Sequence, residues 1–150
     1  MPSELIIRKA LIDDAQHLHP LMEQLGYPQS SKELQRRLEL FTSELHYGVL
    51  LAEIAGKVVG WIAWSKSYLF VSETTRFHIE GLVVDQGYRN QGIGKKLMIT
   101  VEEFARKFSP CIIDLTSGLR RAKEGSHDFY KSLGYQNEGH MAKLYLRKML

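Results

Sequence analysis

Ile79-Glu80-Gly81-Leu82-Val83-Val84-Asp85-Gln86-Gly87-Tyr88-Arg89-Asn90-Gln91-Gly92-Ile93-Gly94-Lys95-Lys96 is the stretch that decides how the rest of the chain is read. Strand formers (Ile79, Leu82, Val83, Val84) stop at Asp85, a turn follows at Gly87, and Arg89-x-x-Gly92-x-Gly94 opens a helical pattern. The first turn of a helix carries unpaired N–H groups and the positive end of the peptide dipole, and glycines let a phosphate oxygen come within bonding distance of them. Arg89, Lys95 and Lys96 add full charge at the same place. The segment from Arg89 through Asn90, Gln91, Gly92, Ile93 and Gly94 to Lys95 therefore reads as an anion cradle, the plainer alternative being a tight turn before a helix.

Two phosphate ligands are excluded by spacing. Gly87-x-x-x-x-Gly92 begins like a nucleotide triphosphate loop, but Ile93-Gly94 stands where Lys-Ser or Lys-Thr is required. The Gly92-x-Gly94 pair lacks the third glycine of a dinucleotide fingerprint, since position 97 is Leu.

Arg89-x-x-Gly92-x-Gly94 just after a Leu-Val-Val strand resembles the acetyl-coenzyme A pyrophosphate loop of the GNAT superfamily of N-acetyltransferases. A second element, Phe129-Tyr130-Lys131-Ser132-Leu133-Gly134-Tyr135, is similar to that superfamily's Phe/Leu-Tyr-x-x-x-Gly-Phe/Tyr motif. The two stand in the family's order and spacing, and the resemblance covers essentially the whole chain. It implies acetyl-CoA as co-substrate, backbone groups of Leu82, Val83 and Val84 holding the pantetheine arm like an added strand, and Tyr130 as proton donor to the leaving thiolate. It also implies that the first helical pair walls the acceptor site, with Tyr27 and the Pro28 loop on that side, and homodimers are common in the family. One departure is visible. The family often has an asparagine early in the last helix, whereas Lys123-Glu124-Gly125-Ser126-His127 has none, so that contact is either supplied by Ser126 or lost. Arg120, Arg121 and Lys123 are placed either for the adenosine 3′-phosphate or as a solvated basic loop.

Length and composition agree with one domain over residues 1–150: 44% apolar and 25% charged residues are ordinary for a globular chain. A single cysteine, Cys111, excludes an internal disulfide and fits a reducing cytoplasm. No apolar run approaches the roughly 20 residues of a membrane helix, and Met1-Pro2-Ser3-Glu4 does not begin a secretory signal. The net charge of +3 is uneven: residues 1–75 hold 7 Lys/Arg against 9 Asp/Glu, residues 76–150 hold 13 against 8. The excess cation lies with the cradle. Nucleic acid is disfavoured as its partner, because no basic run carries interleaved aromatics.

Leu5 to Arg8 reads as a strand, and Asp13 or Asp14 as cap of a helix bearing Leu18, Leu21 and Leu25, which Pro20 should kink or split. Ser30-x-x-Glu33 is a capping box for a second helix. Tyr47–Ile54 and Lys57–Ser65 form a hairpin across Ala55-Gly56, Ser67 to Arg76 is a loop, and Phe77 to Val84 completes an antiparallel run. A helix from Gln91 stops at Ser109-Pro110, and a buried strand Cys111 to Leu115 should run parallel to its predecessor or splay from it. Ser126 is placed to cap a last helix ended by Gly134, and Met141 to Lys148 alternates as a closing strand. The sum is an α/β (α+β), GNAT-like fold: a mixed, mostly antiparallel sheet of about six or seven strands, about four helices, and a splay between the two central strands.

Acetyl transfer to an amine needs a neutral nitrogen, yet an alkylamine titrates near about 10.4. Glu80, among apolar strand neighbours that would desolvate it, is the candidate general base, and His78, on the same face with Leu82 and Val84 by simple alternation, is its reserve. An N–H near Leu82 would stabilise the thioester oxygen if the strand opens there, which Gly81 favours. By the resemblance Tyr130 would meet the thiolate, the plainer alternative being a helix-face aromatic packed beside Phe129 and Leu133, and Cys111 is disfavoured as a covalent carrier in its apolar stretch. The expected activity is direct transfer from acetyl-CoA to a primary amine in a ternary complex. No metal site is expected. A non-catalytic acyl-CoA-binding or sensor domain is the rival, and an aminoglycoside, a polyamine, an amino acid or a protein amine remain open as acceptor.

Overall fold

The computed structural model describes residues 4–117 and 125–150. Arg120, Arg121 and Lys123 lie outside the described residues. The chain groups into two compact units, Met1–Ile113 and Asp114–Leu150.

The first unit is built on β1 (Leu5–Lys9), α1 (Ala15–Leu25), α2 (Ser31–Ser43), β2 (Tyr47–Ile54), β3 (Lys57–Tyr68), β4 (Thr75–Val84) and α3 (Ile93–Ala105), and β5 (Cys111–Leu115) spans the boundary after Ile113. The strand order is β1-β2-β3-β4-β5, with β1 to β4 antiparallel in succession. Thr75 N–H, at the start of β4, donates to Pro110 C=O just before β5, so these two strands begin side by side and run parallel, as the helical crossover requires. The β2–β3 turn places both Ala55 and Gly56 at positive φ (52° and 78°), the pattern that matches the twist of a tight hairpin.

Each helix follows from its stripe and its caps. In α2, Glu33 N–H donates to Ser30 Oγ and Ser30 N–H to Glu33 Oε2, both at 3.1 Å, closing the expected capping box, while Leu34 and Leu38 are buried. In α3, Ile93, Leu97, Met98, Val101 and Ala105 are buried against the sheet. Phe104 and Phe108 surround Phe77 of β4 at 6.0 and 5.7 Å between ring centroids. The opposite face of the sheet packs on α1 and α2 through Leu18, Leu21, Leu34, Leu38, Leu51 and Trp61.

Several sequence expectations are corrected. Among the described residues the sheet has five strands: Met141 to Lys148 contributes none, and Leu144 and Leu146 are exposed. Alternation gives a segment two faces, but a ladder also needs a neighbouring edge, which the pattern does not encode. The expected loop from Ser67 to Arg76 is shorter, because Ser67 pairs with Arg76 and Tyr68 with Thr75. Pro20 sits inside α1 without splitting it; both Pro20 and Gln16, whose carbonyl it leaves unpaired, are exposed, so water can satisfy that group.

Asp14 occupies the N-cap position of α1 but makes no cap there. Its buried carboxylate instead accepts from Arg8 Nη1 and Nη2 at 2.8 and 2.7 Å and from Leu11 N–H at 2.7 Å, and Arg8 Nε also reaches Glu53 at 3.1 Å. The Arg8 guanidinium, helped by Leu11 N–H and opposed by burial, holds the Asp14 carboxyl below its ordinary value of 3.8, and Arg8 is held above its own. A depressed carboxylate contributes stability that is fully present above its unfolded value and lost as pH falls through the folded one. Arg8→Met, which leaves Asp14 buried without its cation, is expected to destabilise the fold by about 2 kcal/mol at pH 7. In urea titrations the deficit should shrink below the ordinary aspartate value; a pH-independent deficit contradicts the pairing.

Candidate active site

Between β3 and β4 the ladder slips. Ala63 faces Gly81, but Trp64 faces Ile79, so Glu80 is an extra, unpaired residue: a β-bulge. Its consequence is a change of face. Phe77 and Ile79 are buried with Phe77 against the aromatic rings of α3, whereas past the bulge Val83 joins Trp61 and Ala63 in the core under α1 and α2. His78 and Glu80 therefore lie on the α1/α2 face, while Leu82 and Val84 lie on the α3 face, which corrects the simple alternation that grouped all four. Gly81 is required at the turn of phase because a Cβ there would stand 2.6 Å from Cη2 of Trp61.

Glu80 is exposed, not desolvated among apolar neighbours as its strand context predicts. The bulge turns it out of the packed ladder, toward a cavity whose lining includes Met22, Leu38, Phe41 and Trp61. Its Oε1 accepts from Ser65 Oγ at 2.7 Å, so the hydroxyl fixes the carboxylate's orientation. Ser65 was not singled out from sequence; only the hairpin register, with its slip, brings it beside Glu80. His78 Nδ1 lies 3.1 Å from Arg76 Nη2.

The backbone of β4 has two edges. Asp85 N–H donates to Val59 C=O, so the groups of Val83 and Asp85 turn toward β3. Those of Leu82 and Val84 turn to the other edge, toward the side on which the strand order puts β5. Of the three residues expected to meet a pantetheine arm, Val83 is thus committed to its partner Trp61, and the Val84 carbonyl accepts from Arg89 Nε at 3.1 Å.

The cradle is formed where β4 gives way to α3. Asp85 Oδ1 accepts from Gly87 N–H at 2.9 Å, and Asn90 and Gly92 both adopt positive φ, 62° and 81°. Asn tolerates this region and glycine does so without strain, so the chain can turn sharply into the helix. Gly92 is the N-cap of α3 and has no side chain to cap the first N–H groups of the helix. Ile93 is itself buried and offers only its backbone, while Gln91, Lys95 and Lys96 are exposed.

In the second unit, α4 (Ser126–Ser132) holds Tyr130, half-buried, with the rings of Phe129 and Tyr135 at 5.1 and 6.2 Å. The Tyr130 carbonyl accepts from Leu133 and Tyr135 N–H, and Gly134 at φ 95° ends the helix as expected. Ser126 begins the helix but does not cap it: Gly125, at φ 82°, holds that position, and Ser126 Oγ lies 3.3 Å from Ser117 Oγ. Cys111 is half-buried, with its thiol 3.3 Å from the Ala105 carbonyl.

The site thus joins a β-bulge over a cleft to a strand that feeds a glycine-opened helix. The sequence matches the family model described as the acetyltransferase (GNAT) family over residues 11–135, and the chain belongs to that family. An uncharacterized N-acetyltransferase of Methanocaldococcus jannaschii is 32% identical over 101 residues; that match takes in 67% of this chain and 43% of the relative's length. Solved structures share the fold. A GNAT family acetyltransferase of Staphylococcus aureus superposes with a TM-score of 0.77 at 24% identity, covering 99% of this chain and 100% of its own. An aminoglycoside N-acetyltransferase solved with CoA does so with a TM-score of 0.83 at 18% identity, covering 100% and 98%. Among the described residues, no helix is long and apolar enough to cross a membrane.

Gly81→Ala drives a methyl into the Trp61 ring and should lower stability by about 1–3 kcal/mol in urea denaturation. An unchanged midpoint contradicts the close approach.

Proposed function

We propose that this protein is an acetyl-CoA-dependent N-acetyltransferase acting on a primary amine by direct transfer in a ternary complex. The observation that carries the reading is the opened N-terminus of α3, with Asn90 and Gly92 in left-handed conformations shortly after the end of β4. Amides of residues 92–95 and the charges of Arg89 and Lys95 would bind the diphosphate, and Leu82 and Val84 would extend along the pantetheine arm. Binding requires Arg89 to leave the Val84 carbonyl.

Glu80 is the proposed general base. It removes a proton from the ammonium, directly or through a water, and the freed nitrogen attacks the thioester carbonyl. The C–N bond forms, the C–S bond breaks, and the electron pair leaves on sulfur, to which Tyr130 is proposed to give a proton. Ser65, by holding one Glu80 oxygen, supports the orientation of the other. Unlike a desolvated base, an exposed Glu80 would draw its strength from position, and from water exclusion when both substrates are bound.

The acceptor is an amine by this reading. A non-catalytic acyl-CoA sensor predicts coenzyme binding with no acetyl-dependent thiol release. In steady-state assays of thiol release, Glu80→Gln should lower kcat on the order of a hundredfold and Tyr130→Phe on the order of tenfold. Coenzyme affinity measured by calorimetry should stay within about twofold for both. Equal loss of affinity and rate would mean that these side chains build the coenzyme site instead.

A further inference from the structure

The cavity beside Glu80 is small and carries one charge of each sign. It measures about 160 Å³ and is walled by α1, α2 and the sheet, with Met22, Leu34, Leu38 and Phe41 giving it an apolar lining. An apolar cavity of roughly 150 Å³ holds one benzene ring. Among the residues that line this one, Glu80 is the one carboxylate and Arg37 the one cation. Arg37 is exposed on α2 and makes no ion pair or hydrogen bond among the described residues. Trp61 borders the same space, itself 5% exposed, and its indole N–H is buried with no acceptor among the described residues.

We infer that the acceptor is an apolar α-amino acid: a monoamine with a side chain about the size of one benzene ring and a free carboxylate. This rests on the acetyltransferase reading for what happens to the amine, but not for what the cavity binds. Three features fit that class together. Glu80 faces the ammonium, the apolar walls take the side chain, and Arg37 takes the carboxylate in a charge-assisted pair. A polyamine or an aminoglycoside brings several ammonium groups, each needing a partner once out of water, and here one carboxylate is available and a guanidinium repels the rest. The inference separates this chain from the aminoglycoside enzymes whose fold it shares.

The experiment compares phenylalanine and leucine with their decarboxylated amines, phenethylamine and isoamylamine, and with spermidine and kanamycin, in acetyl-CoA-dependent thiol release. The amino acids should be preferred over their decarboxylated amines, and Arg37→Met should lower that preference, as a ratio of kcat/KM values, by about tenfold, with Arg37→Lys restoring part of it. A higher kcat/KM for spermidine or kanamycin, or a ratio unchanged by Arg37→Met, overturns the inference. Binding is read separately by tryptophan fluorescence, since Trp61 borders the cavity. If no amine releases thiol, a phenylalanine-dependent change weakened by Arg37→Met upholds the inference while the acetyltransferase reading fails. No change with either amino acid overturns it.

Discussion

One unpaired residue in a strand organises the site. Without the bulge at Glu80, strict alternation would carry the phase of Phe77 and Ile79 through to Gly81 and Val83, and those residues could not pack under α1 and α2 with Trp61. With it, the first half of β4 buries its side chains against α3 and the second half buries them against the helical pair. The residue at the crossing cannot pair, and it is an acid. Its exposure, its bond to Ser65 and its place at the edge of a cavity follow from that single slip in register.

The same strand serves two ends of the proposed reaction. On its α1/α2 face it presents Glu80 to an apolar cleft; at its end it hands the chain to α3 through a turn that only Asn and Gly can make without strain. An acid and the glycine-opened start of α3 are thus fixed by one rigid element, which is the economical way to hold two groups in constant relation. The Arg89 bond to the Val84 carbonyl closes the edge that a coenzyme arm would use.

Much of this was legible beforehand. The capping box of α2, the Ala55-Gly56 hairpin and the helix that follows Gly92 are local patterns, and each is where the sequence pattern puts it. Other readings failed where a local pattern has two physical outcomes. Asp14 reads as a helix cap, but Arg8 on the neighbouring strand outcompetes the helix N–H groups for its carboxylate. The tail from Met141 alternates like a strand and finds no ladder.

By itself the sequence determined the order of elements from β1 to α4, the glycine-opened start of α3 and the chemical types available at the site, because turns, caps and stripes depend on residues a few positions apart. Tertiary structure alone decided the register between β3 and β4, and with it which face Glu80 occupies, that Ser65 holds it, and that Arg37 and Trp61 share its cavity. Those facts depend on ladder pairing and packing between residues 15 or more positions apart, where no local propensity reaches.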